Sequence, residues 1–304
     1  GRRAPIRAEM ADKPVFDRIA LIGIGLIGSS LARAIRRGGL AGHVVACDSS
    51  EEVLASVERL GFADSTTSSV PEAVRGADLV VVCTPVGTFA DIGAAMRPAL
   101  SPGAIVSDTG SVKQCVVRDL GPCIPEGVHF VPGHPIAGTE HSGPEAGFAE
   151  LFDGRWCILT PPPGTDRAAV DRLSDLWRAC GAMIEVMDPG HHDQVLAVTS
   201  HLPHLIAFTI VGTASDLGEH LQQEVVQFAA SGFRDFTRIA ASDPIMWRDI
   251  FLNNRDALLE VSQRMQEDLA RLQRAIRWGE GEEIEQRIRR TREIRRRLID
   301  AKQA

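Results

Sequence analysis

The sequence predicts an α/β domain, a parallel sheet with helices on both faces, followed by an all-α domain expected to mediate dimerisation. Three observations carry that expectation. From Phe16 to Met187 short β-rich runs alternate with helical stretches, the pattern of strands joined by crossover helices. Several of those runs are apolar without interruption, as strands buried on both faces must be. Beyond Asp188-Pro189-Gly190 the strand pattern stops and the periodicity becomes helical.

In chain order, residues 1–14 are polar and predict a disordered leader. Strands are expected at 18–22, 43–47, 79–83, 104–107 and 128–131. Two later runs, 156–160 and 183–187, flank a helix over about 167–180 and are expected to extend the same sheet. The domain assignment is therefore 15–188 for the sheet domain and 189–304 for the helical one. Helices are expected over 192–215, 219–230 and 244–299. Within the last, Met265, Leu269, Leu272 and Ile276 recur at helical spacing and form a seam.

Composition narrows the function classes. A net charge of −7 argues against a general polyanion binder, so no nucleic-acid partner is expected. There is no apolar leader segment and no stretch of eighteen uninterrupted apolar residues, so the expectation is a cytoplasmic protein without a membrane partner. Six scattered cysteines lack ligand spacing and read as reduced core residues. The chain has no tyrosine, and only three lysines, Lys13, Lys113 and Lys302, among its 33 basic residues.

Directly after the first strand comes Gly23-Ile24-Gly25-Leu26-Ile27-Gly28, opening a helix. A GxGxxG in that context is the dinucleotide-binding fingerprint of a Rossmann-type domain. The first glycine permits the turn, the second lets backbone approach a pyrophosphate, and the third lets helix and strand pack closely. Gly23, Gly25, Leu26, Ile27 and Gly28 are therefore assigned to the cofactor. Asp48, twenty residues beyond Gly28, suits the ribose hydroxyls and would repel a 2′-phosphate, which favours NAD over NADP. Thr84 and Pro85 end the next strand at the same edge and are assigned to the cofactor wall.

Three further segments gather polar residues. Ser107-Asp108-Thr109-Gly110-Ser111-Val112-Lys113 follows an apolar strand; its lysine reads either as a solvated helix start or as a binding residue. His134, between glycine and proline in a stretch too broken for a helix, has the chemistry of a general base or hydrogen-bond acceptor. In the helical domain stand His191-His192-Asp193, His201-Leu-Pro-His204 and Arg234-Asp235 with Arg238. His201 and His204 share a helix face but lack the partners of a metal site, so no metal is expected. The arginines suit a carboxylate clamp. At the C-terminal end, seven arginines between Arg287 and Arg297 follow a run of glutamates and read as a solvated helix held by Glu/Arg pairs.

Together the glycine motif, Ser107–Lys113, Gly133-His-Pro-Ile-Ala-Gly-Thr-Glu140, Thr199-Ser-His-Leu-Pro-His204, Gly232-Phe-Arg-Asp-Phe-Thr-Arg238 and Asp243-Pro-Ile-Met-Trp-Arg248 resemble the prephenate/arogenate dehydrogenase family of tyrosine biosynthesis. The resemblance covers about residues 17–280. It implies NAD-dependent oxidative decarboxylation of prephenate, of arogenate, or of both. By that resemblance His134 would take the C4 hydroxyl proton, Ser111 would hold that hydroxyl and orient His134, and Arg238 would bind a substrate carboxylate. Thr139, Glu140, His201 and His204 would line the substrate pocket, Lys113 would touch the cofactor or site edge, and Asp193 and Trp247 would help close and order the site. No mutase segment or regulatory βαββαβ domain is recognised, so the expectation is a catalytic core alone, acting as a homodimer. Two alternatives remain at this level. A β-hydroxyacid or imine-type dehydrogenase would carry a lysine or aspartate on the first long helix after residue 190, which here holds only Asp193. A non-catalytic NAD sensor would have no need of His134.

Overall fold

A computed structural model of the chain describes residues 13–216, 224 and 231–300. Six strands form one parallel sheet: β1 (Phe16–Ile22), β2 (Ala41–Cys47), β3 (Ser65–Thr67), β4 (Leu79–Val82), β5 (Ile105–Asp108) and β6 (His129–Phe130), in the order β3-β2-β1-β4-β5-β6. Side chains alternate across a strand. In β1, Ile19 and Leu21 therefore enter one core while Ala20 and Ile22 enter the other. β4 does the same, with Leu79 and Val81 on one side and Val80 and Val82 on the other. This two-sided burial is why the runs read as uninterrupted apolar sequence. The first core is closed by helices α1 (Leu26–Gly38) and α6 (Arg167–Ala179), whose Trp177 packs edge-on against Phe152 at 5.2 Å. The second is closed by α3 (Val70–Val74), α4 (Phe89–Met96) and α5 (Gln114–Asp119), after α2 (Glu51–Leu60) has crossed from β2 to β3.

Two features depart from the sequence expectation. β3 is a polar three-residue edge strand, Ser-Thr-Thr, with no apolar pattern to announce it. The runs at 156–160 and 183–187 do not extend the parallel sheet. They form β8 (Trp156–Leu159) and β9 (Met183–Val186) of a second, three-stranded sheet, with β7 (Gly133–Pro135) antiparallel to β8. The physical reason lies between β6 and β7. His129 N and Val131 N donate along β5, so Gly133 N would be the next donor of the ladder. It is instead taken by the Asp108 carboxylate at 3.1 Å, while the Pro132 carbonyl, on the opposite side, accepts from Thr160 N at 2.8 Å. The chain therefore leaves the first sheet and pairs with β8.

Beyond β9 the described residues are helical. α7 (Pro189–Leu196) runs through a π turn (Ala197–His201) into α8 (Leu202–Asp216). This 28-residue stretch is long enough to cross a membrane and holds an 18-residue window with a mean hydropathy of 1.6, of which only 22% is buried. It also carries buried His192, Asp193 and His201 in hydrogen bonds to other elements, which makes it a helix of the protein interior and its surface. α9 (Ser231–Thr237) and α10 (Pro244–Asn253) follow. The helix expected over 219–230 lies outside the described residues apart from Glu224, as do residues 1–12 of the leader.

The chain divides into two compact units after Arg255. In the second, α11 (Arg255–Trp278) and α12 (Gly281–Asp300) are separated by a turn at Gly279. Leu269 and Ile276 of the seam are exposed. Arg287 pairs with Glu283 at 2.7 Å and Arg289 with Glu285, the (i, i+4) pattern of a solvated helix.

Candidate active site

Parallel register sets the site. Ile22 lies opposite both Cys47 and Val82, and Val82 opposite Asp108, so four strands end in line. Gly23, Asp48, Cys83-Thr84 and Thr109 consequently begin their loops side by side at the carboxyl edge, where such sheets take ligands. Gly23 turns with φ +93°, and a Cβ there would meet Thr84 Cγ2 at 2.6 Å. A Cβ on Gly28 would sit 2.1 Å from the Gly23 carbonyl oxygen, so α1 packs this closely only with glycine there. A Cβ on Gly25 would meet nothing within 4 Å. That open face, with no side chain capping the start of α1, suits a pyrophosphate received by backbone N–H groups. The Asp48 carboxylate accepts from Ile24 N (2.9 Å) and Ser50 N (3.0 Å), which locks it beside the glycine turn. Carboxylate oxygens have further lone pairs for ribose hydroxyls. Thr84 receives the hydroxyl of Thr88 at 2.8 Å, and Pro85 leads into the next short turn. The residues present therefore fit a dinucleotide.

Along the same edge lies a buried ion pair. Lys113 and Asp108 both have fully buried side chains. The Lys113 ammonium bonds Asp108 and donates to the Gly133 carbonyl at 2.6 Å. Asp108 in turn accepts from Gly110 N (2.7 Å) and Gly133 N (3.1 Å). Burial pushes the Asp108 carboxyl up, and the ammonium opposes that push. Both peptide groups of Gly133 are thus gripped immediately before His134. Lys113, expected either as a solvated helix start or at the site edge, lies instead beneath the site. Burial forces its charge to find a partner inside the protein, and Asp108 is that partner.

His134 is on strand β7 rather than in an irregular loop, and is 7% exposed. Burial, with His192 and then Lys113 and His201 nearby, holds its pKa well below the ordinary histidine value. Its Nδ1 lies 2.8 Å from His192 Nε2, and His192 Nδ1 lies 2.7 Å from Asp193 Oδ1. Asp193 also accepts from the backbone N–H groups of Lys113 (2.7 Å) and Gln114 (2.9 Å). Asn254 donates to the Asp193 carbonyl and to His201 Nδ1, both at 2.9 Å. Burial pulls the His201 pKa down to about 4. His192, Asn254 and Asp108 had no role assigned from sequence. His192 and Asp108 stand within motifs already singled out, but the contacts that tie them to the site, His192 to His134 and Asp108 to Gly133, span 58 and 25 residues.

His201 and His204 part company across the π turn. His204 stacks on Trp247 with ring centroids 3.6 Å apart and planes 18° apart, and its Nδ1 donates to the Ser200 carbonyl at 2.9 Å. Burial lowers its pKa as well. Arg238 pairs with Glu140 at 2.8 Å, and its side chain is 58% exposed. The Glu140 carboxyl lies below its usual range, first through its own backbone N–H and then through Arg238. Thr139 is exposed and accepts from His141 N at 3.2 Å. Ser111 is half-buried, and its hydroxyl makes no hydrogen bond to His134 among the described residues.

Residues 31–186 match the family described as prephenate dehydrogenase, nucleotide-binding domain, and residues 188–290 match prephenate dehydrogenase, dimerization domain. The chain belongs to the prephenate dehydrogenase family. It is 44% identical over 268 residues to cyclohexadienyl dehydrogenase of Zymomonas mobilis, covering 88% of this chain and 91% of that one. Its fold superposes on prephenate dehydrogenase from Aquifex aeolicus, solved with hydroxyphenyl propionate and NAD+, with a TM-score of 0.85 at 35% identity, covering 93% of this chain and 98% of that one. Synechocystis arogenate dehydrogenase aligns with a TM-score of 0.76 at 26% identity, over 92% and 99% of the two chains. As a prephenate dehydrogenase family member, the chain is an NAD-dependent, decarboxylating oxidoreductase.

Proposed function

We propose that this enzyme oxidatively decarboxylates prephenate, arogenate or both, with His134 as the general base. The observation that carries the reading is a buried histidine, its pKa held well below the ordinary value, that follows directly on Gly133, which is bonded to Asp108 at the carboxyl edge where the glycine turn also begins. A base must be unprotonated at working pH and within reach of the proton it takes; the low pKa of His134 meets the first condition. The bound nicotinamide supplies the hydride acceptor. His134 accepts the C4 hydroxyl proton as C4 is oxidised. Ser111, whose hydroxyl is free of a bond to His134, holds the same substrate oxygen. Loss of CO2 then leaves an aromatic ring, so the residues need to orient the substrate more than to drive it.

Arg238, steadied by Glu140, presents the rest of its guanidinium to a substrate carboxylate, in the bidentate manner arginine favours. Thr139, His201, His204 and Trp247 shape the pocket, and His204 Nε2, with Nδ1 committed to Ser200, faces the substrate as an acceptor. Lys113 contributes from below by fixing Gly133. Gly23, Gly25, Leu26, Ile27, Gly28, Asp48, Thr84 and Pro85 hold the dinucleotide. Residues 15–188 serve as the cofactor domain and 189–304 as the substrate and dimerisation domain of a cytoplasmic homodimer. Support for the dimer comes from the description of the matched family and from Val198, Ile210 and Val211, exposed on the Pro189–Asp216 stretch.

The test is the absorbance rise at 340 nm with NAD+ and either substrate. A rise is expected for at least one of them, and none with both would sink the activity. His134→Asn should lower kcat by roughly 10²–10⁴-fold with little change in KM; a change confined to KM would reassign His134 to binding.

A further inference from the structure

The base role leaves one contact unexplained: the ring that touches His134 is His192, a wholly buried residue. The two imidazoles meet edge to face, with centroids 5.0 Å apart and planes at 66°. Three facing atoms settle where the protons are. Asp193 is fixed by the N–H groups of Lys113 and Gln114, and an ionised carboxylate only accepts. His192 Nδ1, 2.7 Å from Asp193 Oδ1, must therefore carry a hydrogen. A neutral imidazole has a single N–H, which leaves His192 Nε2 as an acceptor. The atom it faces at 2.8 Å, His134 Nδ1, must then be the donor. With its one hydrogen placed on Nδ1, His134 has a bare lone pair on Nε2.

We propose that His192, oriented by Asp193, is a positioning residue that keeps the hydrogen of His134 on Nδ1 and so leaves Nε2 open to the substrate's hydroxyl proton. The proposal rests on the base role given to His134 above. The opposite tautomer of His134 would set two lone pairs against each other across 2.8 Å unless His192 were charged, and burial of His192 disfavours its charged form. On proton transfer the substrate O–H bond breaks and an Nε2–H bond forms. The resulting imidazolium still donates from Nδ1 to His192, with the Asp193 carboxylate at the far end of the chain. Second-layer partners fix ring orientation and tautomer in this way wherever a histidine must present one chosen nitrogen.

The direct test needs no turnover. In enzyme labelled with 15N-histidine, the long-range proton–nitrogen spectrum should show His134 Nδ1 as protonated and Nε2 as unprotonated. His192→Phe removes the acceptor and should lower kcat on the order of 10–100-fold, the size of losing a histidine's orienting partner, with KM for the substrate little changed and the loss smaller than that of the base itself. His192→Gln, whose amide oxygen can accept from Nδ1, should restore most of that loss. A wild-type spectrum with the hydrogen on Nε2 overturns the proposal. So does full kcat in His192→Phe, or a His192→Gln variant as slow as His192→Phe while His134 keeps its Nδ1 hydrogen. Should His192→Phe fail to fold, the wild-type spectrum alone decides. Failure of the base role itself reads differently: His134→Asn would then keep wild-type kcat, whatever the tautomer.

Discussion

Replacing Lys113 by methionine should destabilise the protein severely and for an electrostatic reason. Methionine keeps much of the lysine stem, so packing changes little, but the ammonium disappears. Asp108 is then a fully buried carboxylate satisfied only by the N–H groups of Gly110 and Gly133, and the Gly133 carbonyl loses its donor. Breaking one side of a buried pair costs about 3–5 kcal/mol, whereas exchanging both partners for neutral groups is often close to neutral. For a protein of this size that corresponds to a drop in melting temperature of roughly 6–20 °C. The double variant Asp108→Asn/Lys113→Met should recover part of it, since the buried charge is gone while the amide, with one oxygen, can accept from only one of the two N–H groups. The deficit of the single variant also has a defined pH dependence. Asp108's folded pKa is already raised by burial, and loss of Lys113 removes the effect that opposes the rise. A raised carboxyl weakens the folded state above its folded pKa, so the deficit is full there and shrinks as pH falls through that value towards the unfolded one. Thermal melts of the three proteins across that range are the assay. A single variant within about 1 kcal/mol of wild type, or a double variant no better than the single, would refute the reasoning.

Other outcomes follow from the same geometry. The acid limb of kcat/KM should lie below pH 6.5, because His134 must be neutral and its pKa is held well below that value; a limb above 6.5 in a pH–rate profile would assign it to another group. Arg238→Ala should chiefly raise KM for the substrate, and an unchanged KM in steady-state kinetics removes Arg238 from the clamp. Asp48→Ser should narrow the preference for NAD over NADP, measured as the ratio of kcat/KM values. The same change should loosen the glycine turn, since Ile24 N loses its partner; an unaltered ratio contradicts the ribose assignment.

How much of this was legible in the sequence depends on the range of the interaction concerned. The parallel strands could be read because burial on both faces leaves uninterrupted apolar runs, and the cofactor turn could be read because its glycines answer to neighbours within a few residues or to backbone close by. The second sheet could not. Trp156–Leu159 and Met183–Val186 look like any other strands, and what parts them from the first sheet is the carboxylate at 108, which takes the Gly133 N–H that would have continued the ladder. β3 was invisible because an edge strand of Ser-Thr-Thr has no apolar signature. Lys113 stood out as an isolated lysine, but lysine is almost always exposed, and only the tertiary position of Asp108 shows why it is buried. His134 was found from its flanking residues; its partner His192 lies 58 residues on and becomes visible only when α7 packs against β7.

The π turn at Ala197–His201 has a consequence for how this surface can change. A wide turn admits one residue more than an α-helix needs, which shifts the phase of everything after it by about 100°. His192 and Asp193 before the turn, and Ile210 and Val211 after it, therefore sit on faces whose relative angle is set by those five residues and not by one continuous heptad. Deleting a residue there would leave both halves helical and apolar in the right places. It would nevertheless rotate the outward face out of alignment with the histidines.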